Sequence, residues 1–331
     1  MRPLAALTAV LALLTVTACL MNDLARNMRL KTFQPHRNDF TCAHEATSLP
    51  PITAEAESLF QQGLIVTRYE LWPNERDYKA AAQLWEQAAA LGHWKAAMNL
   101  AGLYERGRGV TRDEEQAVLL VEGLMKQGVP AAFDKMGTYH QSGIGVNVDI
   151  DRAYAFWQLA ADMGNPAAQT YIGKKLDAAY DSERRAIWSN RTVGLKMLEC
   201  AFAQGYGDAA FKLGQTLNLV DRNYVRALLV LHEGVKSGSA DAAGYLFSKF
   251  NQVLPLTGNL KDRARAERYL SLSEALRLNP DLRFPNLDKV LPLPPADLPF
   301  WDGKRETLIN AAKPVLVSPA APTTPGANLT G

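Results

Sequence analysis

The sequence is short of the residues that make metal sites and covalent frameworks, with three cysteines and five histidines in 331 positions. Three cysteines exclude a disulfide-dense scaffold, and so few soft ligands leave little for a structural zinc site. Charge of one sign is missing too. Lys plus Arg is 36 and Asp plus Glu is 34, a formal net charge of +2. Nucleic-acid binders carry a basic excess, so the balance argues against that class. Catalytic signatures are absent: there is no HExxH, no GxSxG, no GxxxxGK followed by Ser or Thr, and no GxGxxG at a strand-to-helix turn. His44-Glu45 lacks a second histidine four residues from the first, so His44 reads as hydrogen-bonded structure. No metal or cofactor is expected, and the chain does not read as an enzyme. What remains is globular composition, 47% hydrophobic and 21% charged, long enough for one large domain or two.

Long apolar runs are scarce. Residues 4–16 form one, apolar apart from Thr8 and Thr15, after the short basic start Met1-Arg2. It is too short to span comfortably a hydrocarbon core of about 30 Å, so residues 1–18 read as a signal peptide. Val16-Thr17-Ala18-Cys19 has the form of a lipobox, small residues directly before a cysteine. Cys19 is the expected lipidation site, and two or three acyl chains anchor stably at roughly 0.8 kcal/mol per buried methylene. Leu20 after the cysteine points to the outer membrane by the enterobacterial sorting rule. Residues 19–52 would then be a polar, irregular tether holding a periplasm-facing body to the inner leaflet. Cleavage removes Arg2 and leaves 35 basic against 34 acidic residues. That compartment permits a Cys42–Cys200 disulfide, and burial as two separate thiols is the alternative.

A repeat fills the middle of the chain. Its marker glycines, Gly92, Gly128, Gly164, Gly205 and Gly238, are spaced by 36, 36, 41 and 33 residues. Eleven residues before each stand Ala81, Ala117, Ala153, Gly194 and Ala227. Seven before stand Trp85, Val121, Trp157, Leu198 and Leu231. With the apolar residues eight, four and three before, these trace one face of a helix that the glycine ends at positive φ. A second helix follows, with small residues at Ala97, Ala132, Ala168, Ala209 and Ala242, then Gly102, Gly137, Gly173 and Gly214. These let helix backbones approach closely. Gly107-Arg108-Gly109-Val110 and Gly143-Ile144-Gly145-Val146 close the first two units as tight turns. Trp85, Trp157 and Tyr104 read as core, and Asp149 and Asp151 as the cap and start of a helix. Two antiparallel helices per repeat over residues 76–250 make an all-α, right-handed solenoid. A helix over about residues 54–71, within a capping segment 53–75, covers its start. Arg263–Leu278 predicts a final helix, and six prolines between 280 and 299 predict an extended cap, with 260–303 as the covering unit. Residues 304–331 are expected to be a disordered tail.

These repeats resemble the Sel-one-like subfamily of tetratricopeptide-related repeats. The AxxLW-type first helix, the start Gly164-Asn165-Pro166-Ala167 and the GxGV turns carry the resemblance. Units three and four lack GxGV, so residues 177–191 and 217–223 are expected to hold longer loops or a bend. By analogy with tetratricopeptide geometry, the first helices would line a concave, protein-binding surface. The stripe there is Glu86, Glu122, Tyr154, Gln158, Leu195, Glu199, Leu228 and His232, with Trp94 as a separate exposed candidate; a merely solvated face is the bland alternative.

The two ends carry a second resemblance. Phe40-Thr41-Cys42-Ala43-His44-Glu45 with Leu49-Pro50-Pro51, and the run from Phe284 to Pro295 with Leu298-Pro299-Phe300-Trp301, look like an uncharacterised domain of proteobacterial lipoproteins. Its members are often encoded beside antibacterial phospholipase effectors of the type VI secretion system. The resemblance implies an immunity protein that binds and neutralises such an effector. The rival expectation is an envelope scaffold or adaptor.

Overall fold

The computed structural model describes residues 25–178 and 187–314. The expected signal peptide, residues 1–18, and the expected lipidation site Cys19 lie outside them. The described residues form fourteen helices and no strand. Helix α1 is Ala54–Val66. Five helix pairs follow: α2 Tyr78–Ala90 with α3 Trp94–Arg106, α4 Glu114–Lys126 with α5 Pro130–Ser142, and α6 Ile150–Asp162 with α7 Pro166–Asp177. The fourth and fifth are α8 Arg191–Ala203 with α9 Gly207–Leu219, and α10 Tyr224–Lys236 with α11 Ala240–Phe250. Helix α12 is Arg263–Leu278, as the sequence predicts. Short helices α13 Leu287–Val290 and α14 Arg305–Ala312 end the chain.

Each first helix starts on an Asp or Asn. Asp77, Asp113, Asp149, Asn190 and Asn223 each accept a hydrogen bond from the backbone N–H three residues on. Such a cap is worth about 1 kcal/mol. All five marker glycines have positive φ, between 74° and 100°, so one residue type closes every first helix. The repeat is therefore punctuated at both ends by backbone chemistry, and packing fills the space between.

Packing between units uses missing side chains. The Trp85 indole lies where a Cβ on Gly63 would stand and donates to the Phe60 carbonyl (3.2 Å). Trp157 repeats this against Gly137, donating to the Asp134 carbonyl (3.2 Å). Leu231 takes the same place against Gly214, whereas at Gly173 the Gly194 carbonyl comes closest, with Met197 and Leu198 behind it. Gly102 differs: the Arg106 guanidinium, not a neighbouring helix, occupies the space it leaves.

The second helices lie on the inside of the curve. Helix α7 packs on α5 and α9, and α9 packs on α11, whereas no two first helices come as close among the described residues. This overturns the tetratricopeptide analogy, in which the first helices are innermost. The curve brings its ends together: Asn279, just after α12, donates to Glu70 in the α1–α2 loop (3.1 Å).

The ends also differ from expectation. Helix α1 stops at Val66 rather than near 71, where the Thr67 hydroxyl turns back to the Gly63 carbonyl (2.8 Å). The proline-rich run is not wholly extended: α13 makes one helical turn in the gap between Pro285 and Pro292. The segment after 304, expected as a disordered tail, begins with α14, which buries Leu308 and Ala312. Phe284, Leu287 and Leu291 join the same core as α10, α11 and α12. Prolines supply carbonyls without N–H groups, and buried Arg265 and Arg268 of α12 supply the donors. Arg265 bonds the Pro292 and Ala296 carbonyls, and Arg268 those of Val290 and Pro299.

Candidate functional site

The predicted stripe is largely covered by the chain itself. On the outside of a curved stack the first helices splay, and residues 25–49 run along them as a strap. Arg26 forms ion pairs with Glu115 and Glu122 (2.8 Å each), and its backbone N–H donates to Glu122 (2.7 Å). Gln158 accepts from the Gln34 backbone N–H (2.8 Å), and Arg37 pairs with Asp162 (2.6 Å). Phe33 packs on Tyr154 at 5.1 Å between ring centres. Cys42 and Cys200 are joined as a disulfide, with Cα atoms 5.6 Å apart. The segment at 19–52 is thus a packed element over its described part, not a free tether.

Further along, the C-terminal cap performs the same service. His232, 1% exposed, contacts the Tyr269 hydroxyl (2.7 Å) and Asp288 (2.8 Å). Burial, only partly offset by Asp288, holds its pKa below the ordinary histidine value. Leu195 and Leu228 are half-buried against the C-terminal core. Glu199 pairs with Arg226 (2.6 Å). Trp94 is half-buried, with the Lys95 ammonium over its ring (5.4 Å), and its neighbour His93 is buried as the cap of α3. Only Glu86 stands fully exposed, at the edge of an outer groove between α2 and α4. Glu122, Gln158 and His232 are therefore corrected from contact residues to internal ones.

What the stack leaves open is its inner surface. Two recesses lie there. The middle one, about 380 Å³, is walled by α5, α7 and α9 with Asp241 of α11. Tyr171, Tyr206 and Phe211 supply aromatic surface, and Asp134, Asp208 and Asp241 supply carboxylates opposite Lys174 and Lys212. Burial, with Glu45 nearby, pushes Asp134 up to about 6. Desolvation also raises Asp208 and lifts Tyr206 to about 12, and it lowers Lys212 beside Lys174. The second recess, about 720 Å³, lies between the α1–α2 loop and α3, with Lys135 of α5 and Asn279 on its far side. Arg68, Arg76, Arg106 and Arg108 line it. Aromatic and arginine side chains in concave surface are the types that anchor protein partners. Sequence reasoning missed these residues because they sit on second helices and a loop; the invariant small residues of those helices marked packing, not the side that faces inward.

A third cluster offers no binding chemistry. Ligand atoms of Cys42, His44 and Cys200 lie within 4.8 Å of one another. The disulfide occupies both sulfurs, so neither is a thiolate donor. No helix among the described residues is long and apolar enough to cross a membrane.

The fold agrees with that of known proteins. The Sel1 repeat family matches residues 75–93, 94–121 and 134–165, and the domain of unknown function DUF6396 matches 241–327. Immunity protein Pa5087 from Pseudomonas aeruginosa is 31% identical, with a TM-score of 0.62 over 78% of this chain and 95% of that one. The chain belongs to the family of this Sel1-repeat fold. Immunity protein PA5088 of the same organism is 28% identical, with a TM-score of 0.64 and 95% of its length covered. Human protein sel-1 homolog 2 is 26% identical over 121 residues, but the match spans only 17% of that protein. The Sel1-repeat assignment fits the observed α-solenoid and its five helix pairs. The C-terminal cap lies within the stretch that DUF6396 matches, after the repeats.

Proposed function

We propose that this Sel1-repeat protein is an immunity protein. It binds a secreted antibacterial effector of the phospholipase type and neutralises it by stoichiometric occlusion, without catalysis of its own. The supporting observation is the likeness to immunity protein Pa5087, which extends over 95% of that chain rather than over the repeats alone. The binding surface is the inner one, since the outer stripe is taken up by the strap. Lipidation at Cys19 would hold the domain at the periplasmic face of the outer membrane, where such an effector acts. The Cys42–Cys200 disulfide suits that oxidising compartment.

The test mixes the mature chain with the product of the adjacent gene and measures phospholipase activity. A one-to-one complex with lost activity is expected. No complex, with activity unchanged, would overturn the proposal.

A further inference from the structure

We infer that the arginine-lined recess receives an acidic segment of the protein partner. This rests on the immunity reading and names the chemistry of the surface that the partner presents.

Cations outnumber carboxylates in the recess. Five basic side chains line it, against Glu70 and Asp281. Lys135 is neutralised from beneath by Glu105 (2.7 Å). The arginines are oriented but not neutralised. Arg68 donates to the Ile65 carbonyl (3.1 Å), and Arg76 to the carbonyls of Leu71 and Tyr69 (3.2 Å each). Arg108 lies over the Tyr78 ring (5.5 Å) and has no carboxylate within ion-pair distance among the described residues. Arg106 reaches Glu105 only at 3.9 Å, and Gly102 leaves its guanidinium room to lie along the floor. Guanidinium groups held by carbonyls keep their charge and a fixed fork, which suits carboxylates approached from outside.

The recess is also a built edge. The α1–α2 loop and the segment after α12 meet across it through Glu70 and Asn279, so its shape depends on the whole curve. Beside it the α1–α2 loop exposes Tyr69 and Trp72, the latter 74% exposed, and α1 exposes Ile65. A tryptophan and a tyrosine next to arginines with no close carboxylate partner make an anchor with a charged socket. Low-dielectric walls focus the positive potential inside and steer an acidic partner toward it. The strap and the C-terminal cap, which cover the outer stripe, leave this recess empty.

The test compares the full mature chain with a variant carrying Arg68→Glu, Arg106→Glu and Arg108→Glu, all at exposed positions, and with a Trp72→Ala variant. Circular dichroism and melting temperature confirm that each folds. Affinity for the effector is read by calorimetry at 50 and 300 mM NaCl. The triple reversal is expected to weaken binding by on the order of 100-fold or more, and salt to weaken the wild type several-fold. If the wild type inhibits the effector and the triple variant inhibits it equally, the inference fails while the immunity reading stands. If the wild type does not bind the effector, that reading fails. A twelve-residue Glu-rich peptide then probes the recess alone, and equal affinity of wild type and triple variant for it would also end the inference. Vesicles of phosphatidylglycerol give the remaining arm. Binding to them that is lost in the triple variant, with effector affinity unchanged, would reassign the recess to a membrane surface.

Discussion

Asp134 shows how one residue on the inner surface is held away from its ordinary state. Its carboxyl is half-buried in the wall of the middle recess, where desolvation and nearby Glu45 raise its pKa and only Lys135 offsets this. The unfolded chain loses this proton near 3.8, whereas the folded one keeps it to about 6. The folded state thus binds more protons between those values, and stability falls as pH rises through that window. Above it the penalty is fully present, at most about 3 kcal/mol and smaller after solvent screening. Asp134→Asn should therefore raise the melting temperature at pH 7.5 and leave it nearly unchanged at pH 4. Thermal scans at the two pH values check this; an equal shift at both would show that packing, not ionisation, is responsible.

The element that changes the picture most is the strap. It is irregular, so no internal ladder holds it; its ion pairs go to the first helices, and Gln169 and Asn165 of α7 and its cap add bonds to Ala43 and Glu45 (3.0 Å each). Arg26 is clamped by two glutamates of α4, and Arg152 of α6 donates to the carbonyls of Arg26 and Met28. Asn190, the cap of α8, gives its amide to Pro35 and Arg37 carbonyls (2.9 and 2.7 Å). The disulfide then ties the strap to α8 across a separation of 158 residues. Closing so long a loop stabilises by about 2–5 kcal/mol, chiefly through the unfolded chain. A Cys42→Ser, Cys200→Ser double variant should lose stability in that range in urea titrations. Limited proteolysis should also begin within residues 25–49 in that variant, and reduction of the wild type should reproduce both effects. A strap that stays resistant when reduced would mean that its ion pairs alone hold it.

At the scale of the whole molecule, a stack of helix pairs has two open apolar ends and a curve. Helix α1 and the proline-rich cap deal with the ends, the strap covers the outer side, and the curve creates the inner recesses. The C-terminal core draws Phe250, Tyr269, Phe284, Leu291 and Leu308 into one cluster, so cap and last repeat are one packing unit. A solenoid deprived of such a cover exposes the apolar face of its last repeat. Deleting residues 280–314 should convert the protein to aggregates or higher oligomers in size-exclusion chromatography with light scattering. A monomeric, cooperatively folded product would show that α12 suffices as a cap.

Much of this was set by local sequence. The alternation of helix and glycine, the final helix Arg263–Leu278 and the capping role of Asp149 follow from periodicity and backbone chemistry that act within a few residues. The same reasoning identified Trp85 and Trp157 as core, because helical spacing puts them on the packed face. It could not say which face of the stack curves inward. That depends on how closely α5, α7, α9 and α11 approach one another, a property of many contacts together. Nor could it place Arg26 on Glu122, or Asp288 on His232, because those partners are 96 and 56 residues apart. A stripe of charge on a helix reads alike whether water, a partner or the chain's own strap covers it. Only the tertiary structure made that choice, and it moved the open surface from the first helices to the second.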